Sequence, residues 1–237
     1  MGKLILVRHG KSKWNVLNIF TGWTNIDLAP EGIVEAKKAG ELIKSNDIDI
    51  DICFSSYLKR AIRTAWILLE TADMMHVDCR YSWKLNERHY GDWQGKNKDE
   101  VLKDVGEKTY WAIRRGFDTP PPPLSMEDKR HPVYDSNYKA LDENLLPGTE
   151  SLKDTQHRAV NYFYEAIVPQ LAQNKTVLVS AHGNSLRALM AHLEHVKNVD
   201  VPHIEVPTGT PFIYEFDNCL KIDGKSRIKP RMIEKTI

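Results

Sequence analysis

Two short runs of β-favouring residues in this chain end in the same dipeptide: "LILVRHG" over 4–10 and "TVLVSAHG" over 176–183. Each reads as a strand buried on both faces, and its last residues stand at a strand end, where open α/β sheets keep their chemistry. If the two strands are parallel neighbours, His9 and His182 meet at one sheet edge. In each turn the glycine, Gly10 or Gly183, removes a side chain where a ligand would approach, and a following helix N-terminus offers backbone N–H groups to an anion. Arg8 sharpens the reading, because a guanidinium forks onto phosphate oxygens while a neighbouring imidazole attacks the phosphorus. The chemistry these residues suit is phosphoryl transfer.

Six further motifs stand with these two in the chain: "FTGWTNIDLAPEG" (20–32), "SSYLKRAIRTA" (55–65), "LNERHYGDWQGKNK" (85–98), "RRGFDTPPPP" (114–123), "PGTESLKDT" (147–155) and "PTGTPFIYEFD" (207–217), beside "RHGKSKWN" (8–15) and "SAHGNSLRALM" (180–190). In this order and spacing the chain resembles the histidine phosphatase superfamily, and within it the cofactor-dependent phosphoglycerate mutases. The resemblance implies that His9 is a nucleophile that becomes phosphohistidine, with Arg8, Arg60 and His182 around the transferring group. To attack, His9 must offer a neutral nitrogen, so its other nitrogen must donate to a fixed acceptor such as a backbone carbonyl. Arg8 and Arg60 would neutralise phosphoryl oxygens, and a protonated His182 would donate to them as charge builds.

Glu87 resembles the family's general acid and base for the substrate hydroxyl, a task that needs hydrogen-bond reach and a pKa raised towards neutrality. Asn15, Thr21, Gly22, Arg88, Tyr90, Lys98, Arg114, Arg115, Gly183 and Asn184 match its ligand-binding positions. The resemblance further implies 2,3-bisphosphoglycerate as the primer that phosphorylates His9, interconversion of 3- and 2-phosphoglycerate in glycolysis and gluconeogenesis, and a homodimer or homotetramer. Three residues depart from the family pattern. Lys11 stands where an acidic or amide residue is expected, and Asp92 and Trp93 replace small or aliphatic ones.

The elements that must position these residues alternate along the chain. "PEGIVEAKKAGELIK" (30–44) has Ile33, Ala36, Ala39 or Gly40 and Ile43 at helical spacing behind a first-turn proline. "IDICF" (50–54) reads as a strand, then 55–72 as a helix capped by Ser56 with Leu58, Ile62, Ala65 and Leu69 on one face. A third strand is expected over 77–83, a long helix over 150–174, a strand over 176–181 and a helix over 185–195. The pattern predicts an α/β fold of three layers, a largely parallel sheet flanked by helices. Between about 112 and 148 periodicity fails around "DTPPPP", which predicts an irregular, lid-like segment over the substrate. From 224 a basic tail reads as mobile.

Length and composition agree with one globular catalytic domain over 1–237. With 33 Lys+Arg against 32 Asp+Glu the net charge is +1, which provides no global field for nucleic acid or an anionic membrane, so an anionic ligand must be held by locally gathered cations. Cys53, Cys79 and Cys219 form no CxxC pair and read as reduced, buried thiols. The opening apolar run, Leu4 to Val7, is too short for a signal-peptide core, and no stretch approaches a membrane span, which places the protein in the cytoplasm. His192 and His195 could share a metal by spacing, yet no HExxH or carboxylate frame accompanies them; they read as helix C-terminal histidines, and no metal is expected.

Overall fold

Strand β1 (Gly2–Arg8) sets the plan of the molecule. Leu4, Ile5, Leu6 and Val7 are all fully buried, but they divide by parity. Leu4 and Leu6 pack with Phe163, Leu186 and Leu189 on one face, whereas Ile5 and Val7 pack with Ala39, Ile43, Ala65 and Leu68 on the other. A strand with helices on both sides needs apolar residues at every position, and each such side chain contributes roughly 1.5 to 3 kcal/mol of burial.

The computed structural model describes residues 2–216 and the backbone of 231–232. Its sheet adds β2 (Ile52–Ser55), β3 (Asp78–Tyr81), β4 (Thr176–Ala181), β5 (Pro211–Phe216) and β6 (Arg231–Met232), in the order β3-β2-β4-β1-β5-β6. The pairs β3·β2, β2·β4 and β4·β1 are parallel, while β5 and β6 run antiparallel at the far side of β1. The three-layer, largely parallel expectation describes this sheet, although the strand within "PTGTPFIYEFD" was not read as one.

The helices are α1 (Lys13–Val16), α2 (Pro30–Ser45), α3 (Lys59–Thr71), α4 (Lys98–Val105), α5 (Glu107–Arg114), α6 (Leu152–Tyr162), α7 (Val168–Leu171) and α8 (Gly183–Leu193). Three sequence readings need correction. Helix α3 begins at Lys59 rather than at Ser56, and its N-cap is Leu58 without a side-chain cap. The Ser56 hydroxyl is taken up elsewhere, and the buried face runs through Arg60, Ala61, Thr64, Ala65 and Leu68, with Ile62 only half-buried. The stretch 150–174 is helical from Leu152 but passes through a π turn, Phe163–Ile167, before α7. Pro169 lacks the N–H that an unbroken α-helix would use, and the wider turn absorbs the defect. Helices α4 and α5 were not anticipated; they are divided at Gly106, whose φ of +77° a side chain would strain.

Three 3₁₀ turns, Pro132–Tyr134, Ser136–Tyr138 and Glu143–Leu145, are the regular structure after α5 and before α6. Cys53 and Cys79, distant in sequence, are cross-strand partners of β2 and β3; both are free thiols, Cys53 buried and Cys79 half-buried. Cys219 and most of the tail from 224 lie outside the described residues.

Candidate active site

The two His-Gly turns leave the sheet side by side. Arg8 is the register partner of Ala181, and the His9 N–H donates to the Ala181 carbonyl at 2.9 Å. The His9 and His182 rings lie 5.0 Å apart between centroids. Gly183 packs on the Arg8 guanidinium, where a Cβ would come within 3.4 Å of its Cζ, and Arg8 Nη1 donates to the Val206 carbonyl.

His9 is buried with its orientation fixed. Its Nδ1 lies 2.6 Å from the Gly10 carbonyl oxygen, which makes Nδ1 the donor and leaves Nε2 with its lone pair. Arg60 Nε approaches that nitrogen at 3.3 Å, while its Nη1 and Nη2 donate to the Thr24 and Gly22 carbonyls at 2.9 and 2.8 Å. Burial, then the charges of Arg60 and Arg8, hold the His9 pKa well below its ordinary value. The same causes, burial first, hold His182 low. In the free protein both rings are neutral, so a protonated His182 is not what the folded site presents.

Glu87 stands across from this cluster. Its Oε1 accepts from the Arg88 and Asn184 N–H groups at 2.8 and 3.1 Å. The segment carrying it is held from behind by a buried pair, Glu150 and Arg158, joined at 2.6 Å and 2.7 Å. Arg158 also donates to the carbonyls of Lys84, Asn86 and Glu87, and Glu150 accepts the His89 N–H. Trp23 Nε1 donates to the same Glu87 carbonyl at 2.6 Å. The turn that delivers Trp23 has Gly22 at φ +51°, with the Gln94 side chain where a Cβ would sit.

These groups surround a cavity of about 210 Å³. Arg8, Arg60, Lys98, Arg114, Arg115 and Arg187 line it, against the single carboxylate of Glu87. A nearly neutral protein has thus gathered its cations at one place. Asn15, Thr21, Gly22, Tyr90, Gly183 and Asn184 also reach the wall. Asn15 spends its Oδ1 on the capping box of α1 with Ser12, and Asn184 Nδ2 donates to the Tyr90 hydroxyl at 3.0 Å.

Arg88 does not line the cavity. It is fully buried, lies over the Tyr90 ring at 4.6 Å, and donates to the carbonyls of Ile113 and Arg114, fastening the end of α5 that presents Arg114 and Arg115. Within 112–148 those two arginines are the cavity-lining residues. The remainder packs behind the 86–95 stretch, where Asp92 N donates to Pro122 O and Tyr138 stacks on Trp23. Lys11, Asp92 and Trp93 are likewise absent from the wall: Lys11 is exposed, Asp92 pairs with Lys96 and Arg130, and Trp93 packs on Phe20 and Tyr110.

Sequence reasoning missed Arg187, Ser56 and the Glu150–Arg158 pair. Arg187 donates to Asn184 Oδ1 at 2.7 Å and to the Ile204 carbonyl at 2.9 Å. Its position three residues after Asn184, on the same face of α8, was the available signal.

A family model described as the histidine phosphatase superfamily (branch 1) matches residues 4–131 and 123–221. The chain belongs to the histidine phosphatase superfamily. Relatives in that superfamily include a Nautilia profundicola protein named 2,3-bisphosphoglycerate-dependent phosphoglycerate mutase, 54% identical over 94% of this chain and 97% of its own. A Staphylococcus carnosus protein of the same name is 48% identical over 95% and 99%. Among solved structures, one titled "Mycobacterial hydrolase 1" superposes with a TM-score of 0.75 at 22% identity, covering 99% of this chain and 98% of that one, a likeness of fold.

The buried histidines set a pH dependence for this superfamily member. His9 and His182 are held well below 6.5, and burial pushes His89 down to about 3. Such groups take up protons on unfolding, so stability is whole at neutral pH and falls as pH drops below about 6.5. For His89 this should cost about 2 kcal/mol between pH 7.5 and 5 in the free enzyme, and His9 and His182 add to it in the same direction. Urea unfolding at pH 7.5 and at pH 5 measures this; equal midpoints would mean that the rings are already protonated in the fold.

Proposed function

We propose that this chain is a phosphoglycerate mutase that interconverts 3-phosphoglycerate and 2-phosphoglycerate through a phosphohistidine on His9, in glycolysis and gluconeogenesis. The observation that carries this reading is the neutral His9 Nε2 at one end of a cavity walled by Arg8, Arg60, Lys98, Arg114, Arg115 and Arg187. Such a wall suits ligands with two phosphates, or a phosphate and a carboxylate. The named relatives support the same substrate. 2,3-Bisphosphoglycerate supplies the phosphoryl group that primes His9, and the same cations would hold it.

In this scheme Arg8 and Arg60 neutralise phosphoryl oxygens at His9, His182 donates to them, and Glu87 carries the proton of the substrate hydroxyl. Asn184 and Tyr90 fix the neighbourhood of Glu87. Cationic side chains do the work a metal would do, so turnover proceeds without one. The whole chain acts as one catalytic domain in the cytoplasm, with Arg114 and Arg115 as the part of the 112–148 segment that covers substrate. No helix among the described residues is long and apolar enough to cross a membrane.

The chain assembles as a homodimer or a homotetramer. Support comes from the open edge of β3, beside which Trp66 and Tyr81 are exposed and hydrogen-bonded to one another at 3.0 Å. Sedimentation should find Trp66→Glu monomeric and wild type not; a monomeric wild type excludes the assembly.

The test of the reaction follows 2-phosphoglycerate and free phosphate from 3-phosphoglycerate, with and without trace 2,3-bisphosphoglycerate. Wild type should form mainly 2-phosphoglycerate, dependent on the primer; mainly phosphate would make it a phosphatase. Arg114→Ala/Arg115→Ala removes two cavity-lining cations, and with them charge-assisted hydrogen bonds to the ligand worth about 1.5 to 3 kcal/mol each. Mutase activity should fall more than hydrolysis of phosphohistidine by water. An unchanged ratio of 2-phosphoglycerate to phosphate would reduce the pair to a structural role.

A further inference from the structure

His182 has a nitrogen that nothing in the described protein satisfies. Its Nδ1 is buried, has no hydrogen-bond partner among the described residues, and belongs to the ring beside His9. The other nitrogen, Nε2, lies 2.8 Å from the Ser56 hydroxyl oxygen. Ser56 is fully buried, and its Oγ also accepts the Leu58 N–H at 3.1 Å.

Counting donors and acceptors selects one tautomer. A serine hydroxyl has one proton to give and two lone pairs to fill. If Nε2 carried the ring proton, it and Leu58 would fill both lone pairs. The hydroxyl proton would then have no acceptor in a fully buried place, and Nδ1 would keep a bare lone pair beside it, equally buried and without a donor. If the hydroxyl donates to Nε2 instead, every group on the Ser56 side is satisfied and the ring proton must sit on Nδ1. An N–H is then left over, and the partner it lacks is one that an anionic group at His9 supplies.

We propose that Ser56 is a positioning residue that locks neutral His182 in its Nδ1–H tautomer, so that the ring offers a hydrogen-bond donor to the phosphoryl group at His9 without having to be protonated. The use of that donor rests on the phosphoryl-transfer reading above; the tautomer itself does not. This arrangement explains how a ring flanked by Arg8, Arg60 and Arg158 can stabilise negative charge. A second positive charge is not required there, because the donor is built in and its ring is held by Ser56. It also explains why α3 starts two residues later than an N-cap at Ser56 invites: the hydroxyl that would cap the helix is committed to His182.

The tautomer is read directly from the full-length enzyme without substrate at pH 7.5. The protein is labelled with ¹⁵N in its histidine rings, two-bond ¹H–¹⁵N correlations are recorded, and His182 is assigned by its loss in His182→Gln. The expected pattern for wild type is a neutral ring with the proton on Nδ1; a proton on Nε2 overturns the proposal whatever the reaction proves to be. In Ser56→Ala the ring should shift to the Nε2–H form, with kcat about 10-fold or more lower and KM for phosphoglycerate within about 3-fold of wild type, and Ser56→Thr should restore both readouts. Retention of the Nδ1–H form in Ser56→Ala overturns the proposal as well. Failure of the mutase assay with the Nδ1–H tautomer intact would remove the substrate assignment and leave the role of Ser56 standing.

Discussion

His9→Ala should turn over phosphoglycerate at least about 10⁴-fold more slowly than wild type, the scale on which removal of a nucleophile acts when its supporting groups remain. The size of the effect follows from the geometry. The Gly10 carbonyl makes Nδ1 the donor, and the neutral Nε2 of this cavity-lining ring accepts only a long hydrogen bond from Arg60 Nε, at 3.3 Å. His182 cannot substitute, because its Nε2 is held by Ser56 at 2.8 Å and its Nδ1 carries the proton in the tautomer proposed above. Incubation of wild type with 2,3-bisphosphoglycerate should place one acid-labile, base-stable phosphoryl group on His9 and none on the variant. A label mapped to His182 or to a serine would sink the nucleophile assignment, and loss of turnover in EDTA restored by a divalent ion would replace it with a metal mechanism.

The largest effect on stability is expected at Arg158. Arg158→Met leaves the Glu150 carboxylate buried without its partner, which costs about 3 to 5 kcal/mol. The change also frees the carbonyls of Lys84, Asn86 and Glu87 from the guanidinium that now collects them. Denaturant unfolding gives the first quantity. The second appears as a fall in kcat, since the Glu87 carboxylate is carried by that same backbone. Arg158→Met/Glu150→Gln should recover part of the stability, because no charge is then stranded, but not the turnover. A loss below about 1 kcal/mol for the single change would show that the pair is solvated and holds nothing.

What could be read from residues alone divides along physical lines. The sheet core was legible because β1 and β4 are short unbroken apolar runs, and a strand between two helical layers has no other pattern available. His9 and His182 were legible because each directly follows such a strand. Helices α4 and α5 were missed: each is eight residues long and at least half polar, and their apolar residues matter only once Phe20 and Trp93 arrive from elsewhere. Ser56 misled for a different reason. A serine before a helix ordinarily caps it, and only the fold brings His182, 126 positions away, to claim the hydroxyl. Arg88 matched a ligand-binding position by motif, but its guanidinium is consumed by two carbonyls at the end of α5. Arg158 and Glu150 look like the wet side of a helix until the 84–89 stretch and Trp23 cover them.

The place of β1 in the sheet has a consequence for how the chain is made. Its two neighbours are β4 and β5, so Arg8 waits for Ala181, and Val7 for Pro211. At a synthesis rate of about 5 to 20 residues per second, roughly ten to thirty seconds separate the emergence of Arg8 from that of Ala181. Through that interval Leu4 to Val7 have neither strand to pair with, and the His9 turn has no second turn beside it. Pairing β1 late closes most of the chain into one loop, the kind of distant contact that slows folding, and a nascent chain stalled before β4 carries an uncovered, strand-forming apolar segment at its leading end. The site is therefore not available to any partial chain: His9 and His182 meet only when β4 pairs with β1.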